Sequence, residues 1–292
     1  MKKVPFLLST AMLSIALFSC QHQPPDIKTD TGPTDTSQIS KNLLASIVQL
    51  SGTTSKTQTY RYNAQNQLVW YANTSTEKGY VGDTSQIVWS PAGHVSQIIY
   101  RSDSSKKFTD PNVDSIIYNV ALDATASKYA YKLTQYKMYN TKFKDSSVYS
   151  YNALGQISQE NDYYFDYKTT KTYIKWATYD YSYNGTGDLI NWKTTYFDID
   201  ANHSNYTFSI AYTYEDKGVN LLHLGNDAIV IGIPTSYSGH IAKTEVGDYP
   251  TDPKWNQNIS YTYTYNTKYR PLKASVTDAI SGAKSAVTFT YQ

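Results

Sequence analysis

The chain has one cysteine, four glutamates and a formal net charge of only +2. Each scarcity excludes something. A single cysteine, Cys20, allows no disulfide within the chain, so the fold must be held by its core and its backbone ladders. His94, His203, His223 and His240 are scattered, and no second thiol is available to complete a metal set with them. There is no His-Glu-x-x-His, no Gly-x-Ser-x-Gly elbow and no phosphate loop. No catalytic residue, no cofactor and no enzymatic activity is expected. Without Lys2 and Lys3, the basic residues fall from 26 to 24, equal to the 24 acidic ones. Nothing therefore drives the chain onto nucleic acid or an anionic membrane surface. Helix formers are thin. What the chain has in abundance is tyrosine, thirty of them, with frequent Ser and Thr, a composition that favours strands.

The start of the chain reads as an address. Lys2 and Lys3 precede an almost wholly apolar run from Val4 to Phe18, giving a secretory signal over residues 1–19. The run is too short and too abruptly ended for a comfortable membrane-spanning helix. Leu17-Phe18-Ser19-Cys20 resembles a bacterial lipoprotein processing site. That resemblance implies cleavage before Cys20 and a lipid anchor on it; the alternative is an ordinary signal peptide with an incidental cysteine. Residues 20–40, rich in Pro, Thr, Asp and Gln, read as a flexible tether. Residues 41–292 remain as one large β domain. The implied location is the outer membrane, at its periplasmic face or at the cell surface. Gln21–Asp26 lacks the acidic run that resembles a surface-export tag, which tilts the reading to the periplasmic face.

Within the domain one phrase returns: aromatic-x-aromatic-Asn-x-x-Gly-x-Leu. It reads Tyr60 to Leu68, Tyr149 to Ile157 and Tyr181 to Leu189. Two aromatics two apart share one face of a strand, and the Arg or Ser between them makes the other face polar. Asn63, Asn152 and Asn184 suit the first position of a type I turn. Asn66, Gly155 and Gly187 suit the left-handed position that closes a turn-plus-bulge loop. Each phrase predicts one hairpin.

Weaker copies run through Trp89-Ser90 to Val95, Tyr118-Asn119, Tyr214 to Gly218, and Tyr265-Asn266 to Tyr269. After Asn119 a longer loop is expected, and Tyr269 in the glycine slot predicts a different turn. The second aromatics fall at 62, 89, 118, 151, 183, 214 and 265. The spacing is 27 to 33 until the last gap of 51, which marks an insertion. Seven hairpins predict an all-β, up-and-down antiparallel meander of about fourteen strands, with an opening strand near Leu43–Leu50, curled or closed into a barrel. The apolar insertion near residues 219–240 either packs into one end of the sheet or adds one more buried strand pair.

The phrase resembles the YD repeat of Rhs-type proteins, with Asn63, Asn152, Asn184 and Asn266 where that motif has Asp. The signal, tether and late apolar insertion are similar to the DUF4595-type lipoproteins of Bacteroidetes. The resemblance covers roughly residues 43–292 and implies a porin-like β fold with no assigned activity.

Two groups are candidates for binding. Asp198, Asp200 and Asn202 place oxygens at alternate positions, as calcium loops do, but His203 and Ser209 stand where such a loop needs Gly and Glu. A plain loop is the favoured reading, with no metal. The other group is the aromatics. Repeat-locked rings read as core, so a glycan platform should use aromatics outside the phrase, such as Trp255 or Tyr249. The chain thus reads as a non-catalytic, monomeric envelope lipoprotein with a structural or interaction role, its partner a glycan or an envelope protein. The alternative is a glycan- or small-ligand-binding module.

Overall fold

The structure is a computed structural model that describes residues 43–292 apart from 79, 81, 103–115, 139–140, 168, 198–205, 221, 223, 234–235 and 251–252. The described residues form sixteen strands, one short α-helix and a 3-10 turn at Pro253–Trp255: β1 (Leu44–Ser51), β2 (Thr54–Tyr62), β3 (Leu68–Ser75), β4 (Asp83–Trp89), β5 (Val95–Ser102), β6 (Ile116–Leu122), β7 (Tyr129–Met138), β8 (Thr141–Tyr151), β9 (Ile157–Phe165), β10 (Tyr173–Tyr183), β11 (Leu189–Tyr196), β12 (Tyr206–Val219), α1 (Asn226–Ile231), β13 (His240–Asp248), β14 (Gln257–Tyr265), β15 (Pro271–Asp278) and β16 (Lys284–Tyr291). Every strand pairs antiparallel with its neighbours in sequence, and β16 pairs with β1 to close a barrel. Ile47 lies opposite Phe289 across that seam, and the Gln292 amide donates to the Leu43 carbonyl at 2.9 Å.

The strand beyond the expected count is β16. Its Phe289-Thr290-Tyr291 repeats the aromatic spacing outside any complete copy of the phrase. β1 supplies the returning strand instead, with a bulge after Leu44.

The turns follow the recipe. In the first, Asn66 at φ 61° closes the loop, the Asn63 amide donates to the Gln67 carbonyl at 3.0 Å, and the Asn63 side-chain oxygen accepts from the Gln65 and Gln67 amides. Asn152 and Asn184 make the same bonds with Gly155 and Gly187 in the left-handed position. Three expectations need correction. Asn119 does not open a turn; it lies within β6 and accepts from Gln97, and the turn comes at Asp123, one residue longer, with Ala126 at φ 54°. Nor does Glu215 to Gly218 turn, because β12 runs through to Val219. A Cβ on Gly218 would sit 2.2 Å from Ile241 Cγ2, so glycine is there for close approach.

The third correction is the turn at Asn266. It is the same turn as the others, with Tyr269 at φ 57° in the glycine slot. Asn266 supplies enough bonds, from Lys268 and Arg270, to hold an ill-suited residue there. Tyr269 is about half exposed, so little packing would be lost on removing its ring. Tyr269→Gly is expected to raise stability by about 1 kcal/mol, read as a higher denaturant midpoint at unchanged slope.

The two faces of the wall differ. Along β14, Ile259 and Tyr261 point inward and are buried, while Asn258, Ser260, Thr262 and Thr264 face out and are exposed. β16 alternates likewise, with Val287 and Phe289 inside and Lys284, Ala286, Thr288 and Thr290 outside. A sixteen-stranded barrel of empty walls would enclose an aqueous channel. Here inward rings fill it: Tyr60, Tyr149, Tyr181, Tyr212, Tyr261, Phe208 and Phe289 are all less than one-tenth exposed.

Candidate functional site

Three places combine polar or aromatic groups beyond what the repeat requires. The first is the plugged end. The connection from β12 to β13 replaces the phrase turn with residues 220–239, at the same end as the phrase turns. Leu222, Ile229 and Val230 are buried in the mouth of the barrel, and α1 ends at Gly232 in the left-handed conformation. Of the two readings of the insertion, packing into one end is the one realised.

The plug also serves the backbone. Each phrase hairpin carries a register shift beside the residue that begins the returning strand, which takes that residue's amide out of the ladder. The Ile157 amide donates to Asn226 Oδ1 at 2.9 Å, and Asn226 Nδ2 donates to the Gly155 carbonyl at 2.9 Å. The Leu189 amide donates to Ser238 Oγ at 2.9 Å, and the Val95 amide to Tyr129 Oη at 2.9 Å. Tyr129 in turn donates to the Asp227 carboxylate. At the sixth such turn the corresponding residue is Pro271, which has no amide proton to satisfy. The carbonyls of these residues are taken by the second aromatic of the next hairpin: Trp89 to Leu68, Tyr151 to Tyr129, Tyr183 to Ile157, Tyr214 to Leu189. The second ring is thus a staple between neighbouring hairpins. Asn226→Ala is expected to cost about 1–3 kcal/mol by stranding the Ile157 amide and the Gly155 carbonyl. Hydrogen exchange at Ile157 should accelerate while amides of β16 keep their protection.

The second place is a charged cluster inside the bore. Lys132 Nζ lies 3.3 Å from Glu160 Oε1 and 5.5 Å from the centre of the Tyr118 ring. Tyr181 Oη donates to Glu160 Oε2 at 3.2 Å. Burial works against the charge on Lys132, but Glu160, Tyr149 and Asp162 raise its pKa well above the ordinary lysine value. Asp162 is pushed up, first by burial and then by the charge of Glu160, and its Oδ1 has no hydrogen-bond partner. Further along the bore Glu245 accepts from Gln257 Nε2 at 2.6 Å and is pushed up to about 7 by burial. These groups are buried inside the barrel, so they serve the interior.

The third place is outside. Arg61 on β2, Val69 and Trp70 on β3, and Gln86 and Val88 on β4 line an open cleft of about 480 Å³, with Asn63 at its rim. Arg61 lies opposite Trp70 and Trp70 opposite Gln86 in the ladder, so the three share the outer face. The Arg61 guanidinium sits 4.3 Å from the indole centre.

The residues singled out from sequence fare differently. Cys20, Asp198, Asp200, Asn202, His203 and His223 lie outside the described residues. Among the described residues no group of three or more His, Cys, Asp or Glu could hold a metal ion. Tyr249 is buried and stacked on Phe208, with ring centres 4.8 Å apart, so it presents no platform. Trp255 is 44% exposed, with Lys254 Nζ 5.6 Å from its ring centre. His240 Nδ1 is 2.8 Å from Asp188 Oδ2, and His94 packs edge-on against Tyr129. Sequence reasoning did not single out the Arg61–Trp70 cleft. The signal was available: Arg61 stands at the x position of the first phrase, the slot it assigned to the outer face.

No family model matches the chain, and neither does any curated protein. Solved structures do. A crystal structure described as a porin-like protein from Bacteroides uniformis has a TM-score of 0.51 and 12% identity, over 86% of this chain and 98% of that one. A porin-like protein from Bacteroides vulgatus has a TM-score of 0.50 and 11% identity, over 86% of this chain and 99% of that one. At these identities the likeness is one of fold, and the chain is a closed antiparallel meander barrel with a porin-like β fold.

Proposed function

We propose that this chain is a non-catalytic lipoprotein of the outer membrane, held at the periplasmic face or the cell surface by lipid on Cys20. Its barrel stands in water as a structural or interaction module and does not span the bilayer. The observation that carries the reading is the alternation along β14 and β16, which runs opposite to that of a membrane-spanning wall. A membrane-spanning barrel shows lipid an apolar band about 25 Å tall and keeps a polar interior. This wall presents Ser, Thr, Lys and Asn outward along β14 and β16 and packs tyrosine inward. Kinship with YD-repeat and DUF4595-type lipoproteins fits the phrase and the leader, and belongs to the same proposal. Fractionation tests it: Cys20→Ala should leave the membrane pellet after a carbonate wash, while the unaltered protein stays. If Cys20→Ala remained in the pellet, the anchored reading would fail.

A second reading, a glycan- or small-ligand-binding module, is favoured by one observation, the cleft on the outer wall where an indole and a guanidinium lie side by side.

A further inference from the structure

We infer that the cleft formed by Arg61, Trp70 and Gln86 on the outer wall binds a carboxylate-bearing saccharide, a chain containing uronic acid. This deepens the second reading above and does not depend on the lipid anchor.

Three features carry the inference. The first is unspent chemistry. Among the described residues no carboxylate pairs with Arg61, and neither the Gln86 amide nor the Trp70 Nε1–H has a hydrogen-bond partner. Arg61 brings five N–H donors in a planar fork that matches a carboxylate edge to edge. The indole beneath fixes that plane, so little freedom is lost when a ligand docks.

The second feature is charge. Among the described residues Arg61 is the only charged one in the lining, and no acid there competes for it. The complement is one negative charge per ligand unit, beside groups that accept and donate neutral hydrogen bonds. The Gln86 amide does both and reaches hydroxyls. The Val69 and Val88 side chains and the indole edge offer an apolar floor for the C–H face of a sugar ring.

The third feature excludes the main competitor. Extended peptides dock most readily by adding a strand to a free sheet edge. The closed barrel has no such edge, and β2, β3 and β4 are each paired on both sides. Asn63, at the rim, spends its side chain on its own turn and on Gln67, so the cleft is held open without contributing a further polar hook.

Calorimetric titration of the purified full chain with trigalacturonic acid tests the inference, with maltotriose as neutral sugar and trialanine as a free peptide carboxylate. Trigalacturonic acid should bind and change the tryptophan emission, and maltotriose should bind at least about tenfold more weakly. Arg61→Gln should weaken the acidic sugar about tenfold or more while leaving the melting temperature unchanged. Gln86→Ala should weaken it to a smaller degree, and serves as the second variant on an exposed position. Three results would overturn the inference: no binding of trigalacturonic acid at millimolar concentration, binding that neither variant alters, or equal binding of maltotriose. Binding of trialanine in preference to the sugar would overturn it in favour of a peptide carboxylate. None of these outcomes moves Cys20→Ala fractionation, so failure of the cleft and failure of the anchored reading are separable.

Discussion

Replacing Lys132 by Met is expected to lower stability by about 3–5 kcal/mol, the largest effect of any single change considered. Lys132 is almost buried, and among the described residues its side chain is the one cation facing Glu160 and Asp162 inside the bore. Met fills the space of its methylenes, so the loss is one of charge. Glu160 keeps the hydrogen bond from Tyr181, but that bond cannot replace a cation 3.3 Å away. Two acids would then be left facing each other in a site of low polarisability. The double replacement Lys132→Met with Glu160→Gln should recover most of the loss, because an unpaired buried charge costs more than the pair is worth. Urea unfolding of the two variants checks this. Equal losses in single and double variants would show that shape, not charge, sets the cost.

The second large effect is on pH. Stability is expected to fall as pH rises from 5 to 8, by on the order of 3–5 kcal/mol. Burial pushes Glu245 up to about 7, against the lowering effect of its bonds from Gln257 and Tyr261. Burial pushes Asp227 up to about 6, against the bond from Tyr129. Asp162 is raised for the reasons given above. In the unfolded chain all three lose their protons near pH 4. Between that value and the raised one the folded state binds more protons, so stability drops as pH rises and levels off once Glu245 has ionised. Asp123 acts the other way, held low by the Ser127 amide, and Asp188, despite its burial, is held low by Thr186 and His240. Their contribution is lost below about pH 4, so the optimum lies in mildly acidic solution. Denaturant midpoints at four pH values test the direction. Glu245→Gln should flatten part of the slope, and stability that rises steadily across the range would contradict the account.

The hairpins were legible because their signals are local. Asn63, Asn152 and Asn184 form their turns with atoms two to four residues away, and period-two rings mark the inner face. The errors came where one local signal serves two ends. Gly218 matched the closing slot of the phrase, yet it is there because Ile241 crosses close by. Tyr269 looked wrong for the turn, since its backbone preference was weighed without the bonds that Asn266 contributes. The plug could be named as an insertion, but not what its polar residues do. Asn226 bonds a backbone 69 residues earlier and Ser238 one 49 earlier, and no spacing rule links them. Lys132 and Glu160 meet from β7 and β9 across an intervening strand, a pairing that depends on how the wall curves. The cleft was half legible: the phrase puts Arg61 outside, but only the register puts it over Trp70.

Single-channel recording tests the central claim most directly, that this porin-like fold is a filled, water-facing barrel. Purified full-length protein added to planar bilayers should give no conductance steps above the baseline, because tyrosines occupy the bore and hydroxyls line the outer faces of β14 and β16. Reproducible, long-lived steps of a size expected for an open sixteen-stranded pore would contradict it.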